Sequence, residues 1–205
     1  MKRTELRLVF ASPEAFTEEP IKICGWLRTS RNSKSIGFIE LNDGSCFKNV
    51  QVVFEREKID KQVMLDYIKN NEDVLTRNNK IAHFTVSAWI VNKERTKVLM
   101  IYHNTYDSWA WIGGHADGDD DLLHVALKET EEETGVTNLK LLVDGIYGLN
   151  VITVENHIKR GNIVNSHLHF DVEYLFEADE NESVRIKEDE NSGVKWINLD
   201  EVDKY

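Results

Sequence analysis

GHADGDDDLLHVALKETEEETGV, residues 114–136, is the stretch whose reading decides the fold, and four of the five positions from 129 to 133 are glutamate. Glutamates three or four apart on a helix repel each other by a few tenths of a kcal/mol per pair. The C-terminal end of a helix disfavours anions further through its dipole. The periodicity predicts a helix from Asp121 to Thr134, closed by Gly135 in a left-handed cap. At about 100° per residue, Asp121, His124, Lys128 and Glu131 share one polar wedge. Leu122, Val125 and Ala126 line a second face, which Glu129, Glu132 and Glu133 continue, and Leu123, Leu127 and Thr130 lie beside it. Three of the four glutamates thus extend a stripe that heads for the core.

An acidic, solvated helix end is the plainer reading of such a run. The stripe argues against it, because carboxylates drawn out of water are costly unless something positive joins them. Three convergent carboxylates suit a hard, oxygen-preferring cation, Mg²⁺ or Mn²⁺. Zinc fits less well, since no Cys or His is interleaved with them. Just upstream, Gly113-Gly114 lets backbone approach a ligand closely, and Asp117 to Asp121 forms an acidic loop into the helix.

Residues 114–136 resemble the Nudix box. Gly114, Glu129, Glu132, Glu133, Gly135 and Val136 fit that pattern at its intervals. Three positions depart from it: Asp120 replaces a Glu, Lys128 an Arg, and Thr130 an aliphatic residue. The resemblance covers roughly residues 57–205. It implies an α/β fold (α+β), an α/β/α sandwich around a mixed sheet, and hydrolysis of a diphosphate in a small nucleoside-diphosphate-type substrate. It also implies Mg²⁺ (or Mn²⁺) on Glu129, Glu132 and Glu133, with one box glutamate acting as general base. We expect Glu129, Glu132 and Lys128 to be catalytic. Lys128 keeps the charge of Arg without its forked hydrogen bonds, so activity is expected to be weakened rather than lost.

Around the box, Ala82 to Ile90 alternates apolar and polar residues as a strand with two unlike faces, and Lys97–Tyr102 reads as a short buried strand. Further strands are expected around 139–143, 146–154, 168–176 and 194–197, then a helix start at 199–202. On the strand from His167 to Glu173, His167, His169, Asp171 and Glu173 share one face. That row is either an ordinary solvent face or the wall of a substrate cleft. Gly113, Gly114, His115, Asp171 and Glu173 are accordingly candidate substrate contacts. Trp109, Trp111 and Tyr106 either stack on a base or sugar or pack in the core.

Charge is unevenly shared. Residues 1–56 carry nine Lys/Arg and seven Asp/Glu, leaving sixteen and twenty-nine for residues 57–205, a net of −13. So acidic a body repels nucleic acid unless a metal or basic patch intervenes. No apolar run is long enough to cross a bilayer, and the start, MKRTELRLVFASPE, lacks the apolar core of a signal peptide. The two cysteines, Cys24 and Cys46, match no zinc spacing. The expectation is a cytoplasmic protein without membrane partners, a homodimer being left open.

Strand-like segments at 21–28, 35–41 and 49–54, with an Asn-Asp-Gly turn signal at 42–44, predict a β-meander. A charged helix over 57–73 then opens a second domain. Within this region GWLRTSRNSKSIGFIELNDGSCFKNVQVVFE resembles the start of the oligonucleotide-binding (OB) barrel of asparaginyl-tRNA synthetases. It stops after about three of the barrel's five strands, so the organisation expected is a partial OB-like module at 1–56 and a Nudix domain at 57–205. Arg28, Arg31 and Lys34 are weak candidates for RNA contact. The alternative function is therefore an RNA- or tRNA-associated binding protein whose Nudix fold is non-catalytic. A third reading, isomerisation of a prenyl diphosphate, would need a cysteine near the site, and both lie in the first segment.

Overall fold

Ala82, Phe84, Val86, Ala88 and Ile90 are all at most 7% exposed, and together they form one side of the strand on which the larger part of the chain is built. In the computed structural model, which describes residues 2–33, 35–159 and 162–204, the chain divides into two units, Met1–Ile59 and Asp60–Tyr205.

The first unit holds helix α1 (Leu6–Ala11) and an antiparallel meander of β1 (Trp26–Ser33), β2 (Ile36–Asn42) and β3 (Val50–Glu55). Asp43 secures it locally, accepting the backbone N–H of the fully buried Leu6 at 2.9 Å and the Ser45 hydroxyl at 2.6 Å. Three strands cannot close a barrel, and Trp26, Leu27, Phe47 and Val53 remain exposed. The first strand starts and ends five residues later than the sequence pattern suggests, so both Arg28 and Arg31 stand within it. Lys34 lies outside the described residues.

Helix α2 (Arg56–Asn70) crosses the division between the units. The second unit then runs through β4 (Ala82–Asn92), β5 (Lys97–His103), β6 (Ser108–Ala110) and β7 (Ile112–His115) into α3 (Leu122–Thr134). It continues through β8 (Lys140–Leu141), β9 (Gly148–Val154), β10 (His157–Lys159), β11 (Asn162–Val164), β12 (His167–Ala178) and β13 (Asn191–Asn198). The main sheet has the order β13-β5-β4-β12-β8, with β6, β7 and β9 pairing with β5, β4 and β12. β4 and β12 run parallel while their other pairings are antiparallel, so the sheet is mixed. β10 and β11 form a separate hairpin.

Met64 of α2 and Val125 and Ala126 of α3 share one core with Phe84, Val86, Phe170 and Val172, so both long helices pack on the same face of the sheet. Tyr67 meets Phe170 edge-on at 5.1 Å. The other face carries a smaller cluster of Val98, Met100 and Ile197 with Trp89, Trp109 and Val202 against it. Among the described residues, no helix is long and apolar enough to cross a membrane. Cys24 and Cys46 are free thiols.

Candidate active site

α3 starts where Asp121 accepts the His124 backbone N–H at 3.0 Å and ends at Gly135, whose φ of 79° needs no Cβ to be accommodated. Asp121, His124, Lys128 and Glu131 face solvent, while Val125, Ala126, Thr130 and Glu133 are buried. Thr130 replaces the usual aliphatic residue without leaving a buried hydroxyl unpaired, because its Oγ1 donates to the Ala126 carbonyl at 2.8 Å.

β7 brings Gly113 and Gly114 to the C-terminal half of this helix, paired with Ser87 and Val86 of β4. A Cβ at Gly114 would lie 2.6 Å from Glu129 Oε1, so only glycine lets the glutamate come this close. The Gly113 N–H donates to Glu133 Oε2 at 3.2 Å. Glu133 is 3% exposed. Its burial, together with the charge of Glu129, outweighs that hydrogen bond and pushes its pKa up to about 8. Burial also raises Glu129, assisted by the charge of Glu132.

Glu132 is the better solvated of the three. Lys187 donates to its Oε2 at 3.0 Å, and Lys128 stands 3.6 Å from Oε1. That pairing, Lys187 first, holds the Glu132 carboxyl below its ordinary value. Lys187 also bridges to Glu190 at 2.8 Å, and Glu190 in turn raises both Glu129 and Glu133. Asn191, wholly buried, donates to the Glu133 carbonyl at 3.0 Å. Lys187 and Glu190 escape the sequence reading because they lie in a charged loop with neither periodicity nor motif, and Asn191, which opens β13 behind that loop, belongs to no motif either.

The family model of the NUDIX domain matches residues 82–205. The chain belongs to the Nudix family. Among solved structures it is similar to a Nudix-family hydrolase from Clostridium perfringens, with 20% identity and a TM-score of 0.44, over 60% of this chain and 85% of that one. It is also similar to an Ap4A hydrolase of C. elegans, with 19% identity and a TM-score of 0.41, over 59% of this chain and 83% of that one. The N-terminal region is similar to the asparagine–tRNA ligase of Clostridium kluyveri, 54% identical over 55 residues. Those residues are 27% of this chain and only 12% of that ligase.

In this Nudix-family domain His115, Asp171 and Glu173 lie on the face of the sheet turned away from α3. Gly114 faces Glu129, so its neighbour His115 points the other way, where its ring lies 5.2 Å from that of His83 and 4.9 Å from that of His169. Asp171, 2% exposed, accepts the hydroxyls of Thr85 at 2.7 Å and Ser87 at 2.6 Å. Burial nonetheless raises its pKa. Glu173 accepts from Asn150 at 2.7 Å and is likewise raised by burial. Trp109 packs edge-on against Tyr102 and under the Lys195 ammonium, and Trp111 lies 5.9 Å from Trp89. Arg28 and Arg31 are exposed, and the Arg31 guanidinium sits over the Phe38 ring at 5.5 Å.

Proposed function

We propose that this protein is a Mg²⁺- or Mn²⁺-dependent Nudix hydrolase cleaving a diphosphate linkage in a small nucleoside-diphosphate-type substrate. Residues 57–205 form its catalytic domain and residues 1–56 a partial OB-like module. One observation carries the reading. Glu129 and Glu133 are drawn out of water beside Gly113 and Gly114, next to the half-exposed Glu132, and burial raises the pKa of both. The donor set fits a hard cation, because Glu129, Glu132 and Glu133 offer only carboxylate oxygens.

These three residues would hold the ion, which when bound neutralises phosphate oxygens and acidifies water. The protein's own groups do the rest. Gly114 lets the Glu129 carboxyl close on the backbone, and the Gly113 N–H holds Glu133. Lys128 and Lys187 fix the Glu132 carboxylate, and Glu129 or Glu132 takes the proton from the attacking water. Glu190 brings a fourth carboxylate to the same place.

A panel of dinucleoside polyphosphates, nucleotide sugars and oxidised nucleoside triphosphates, assayed for phosphate release with and without Mg²⁺, tests this reading. Cation-dependent turnover of one class is expected, reduced at least a hundred-fold by Glu132→Gln. A second reading, an RNA-associated protein with a silent Nudix domain, is favoured by the 54% identity of the N-terminal region to an asparagine–tRNA ligase. No turnover across the panel, with a salt-sensitive gel shift on tRNA, would establish it in place of the first.

A further inference from the structure

Three strands deliver four imidazoles to the sheet face opposite the glutamates. His83 on β4 stands in register with His169 on the parallel β12, and His115 on β7 lies across from Thr85. The rings of His83, His115 and His169 make a near-equilateral triangle, with centroids 5.2, 5.1 and 4.9 Å apart. One ring nitrogen from each lies within 4.8 Å of the other two. His167 stacks against His83 at 5.0 Å and brings its Nε2 to 3.1 Å from His169 Nε2.

The hydrogen bonds leave lone pairs inside this cluster. His83 is 4% exposed, and its Nδ1 lies 3.1 Å from the Asn79 carbonyl, an acceptor only, which places the proton on Nδ1. Its Nε2 is then a bare acceptor, buried and without a hydrogen-bond partner. Such an orphaned buried acceptor is costly unless something binds it. His167 repeats the pattern, with Nδ1 2.8 Å from the Asn165 carbonyl. A backbone carbonyl on one ring nitrogen is the arrangement that orients the other toward a metal. Asp117, whose charge reaches both His115 and His83, supplies nearby negative charge, partly offset by its ion pair with Arg77.

We propose that His83, His115 and His169 form a three-imidazole site for a late first-row divalent transition metal of the zinc or cobalt kind, with His167 beside it as a fourth nitrogen. Imidazole nitrogen prefers such ions, whereas Mg²⁺ and Mn²⁺ prefer the carboxylates on the other face. Tetrahedral coordination at about 2.0–2.1 Å brings ligand nitrogens to about 3.4 Å of one another. The nitrogens, all within 4.8 Å of one another, need draw inward by no more than about an ångström on binding. The ion would tie β7 to β4 and β12, one residue from the glycine that receives Glu129.

Full-length protein stripped with chelator and held in excess Mg²⁺ is titrated with Co²⁺ and, separately, with Zn²⁺. We expect one equivalent of Co²⁺ to give the visible absorption of a tetrahedral site, Zn²⁺ to displace it, and the melting temperature to rise. The partly exposed ligands make the safer variants: His115→Asn and His169→Asn should each weaken Co²⁺ binding at least tenfold, while Glu132→Gln leaves it unchanged. Imidazole ¹⁵N resonances of the wild-type protein test the same point without substitution, since Zn²⁺ should shift the Nε2 or Nδ1 signals of His83, His115 and His169. Absence of the cobalt spectrum, unmoved histidine signals, or Co²⁺ binding lost in Glu132→Gln and retained in both histidine variants would overturn the proposal.

Discussion

Lys187 sets its ammonium 3.0 Å from Glu132, a residue 55 positions earlier in the chain, and 2.8 Å from its own neighbour Glu190. Part of the positive charge at the crowded helix end thus comes from the loop before β13. Lys187→Met removes it and leaves Glu132 to face Glu129 with only Lys128 at 3.6 Å. The pair is partly solvated, so the loss of stability should be about 1 kcal/mol. It should disappear when Mg²⁺ saturates the protein, a comparison that thermal melts with and without the ion provide.

Gly114 is where the backbone makes room for Glu129. Gly114→Ala puts a methyl group against that carboxyl and displaces it. Misplacing a reacting group by about an ångström costs on the order of a hundred-fold in rate. We expect kcat to fall by about that factor while the melting temperature shifts little, measured side by side on one preparation.

Glu133 gives stability a pH dependence of definite sign. Its folded pKa of about 8 exceeds its ordinary 4.5, so the folded protein holds a proton that the unfolded chain has released. Stability from this group therefore falls as pH rises between those values. Below pH 6.5, His83 and His169 act in the opposite direction, since their folded values lie below 6.5. The clean window is pH 6.5 to 8, where metal-free protein should lose about 2 kcal/mol from Glu133. Urea denaturation across that window should show the decline in wild type and a much flatter profile in Glu133→Gln.

Asp171 ties β12 to β4 through two hydroxyls, and both partners are buried. Asp171→Ala strands Thr85 and Ser87 and opens a small void. A cost of about 3 kcal/mol is expected from the unpaired groups and the lost volume. Denaturant titration of this variant against wild type gives the number directly.

What the sequence made legible follows from the range of its signals. α3 could be read almost to the residue, because Asp121, Gly135 and the apolar stripe are local and act through helix geometry alone. The strand β4 was equally clear from its alternation. β1 was misplaced by five residues, since Thr29 to Ser33 pairs with β2 through the backbone and shows no apolar alternation to announce it. The counter-charge from Lys187, the Asp171 hydroxyl clamp and the histidine triangle depend on strand order across the mixed sheet. No spacing within one segment encodes them.

The proposed hydrolysis depends first on Glu129, Glu132 and Glu133 gathering a divalent ion. Mn²⁺ binding followed by electron paramagnetic resonance, with the imidazoles first saturated by Zn²⁺, addresses it most directly. Wild-type protein should take up Mn²⁺ in a form that Mg²⁺ competes away, and Glu129→Gln/Glu132→Gln protein, folded by circular dichroism, should bind at least a hundred-fold more weakly. Equal binding by the two proteins, or none by the wild type, would contradict the claim.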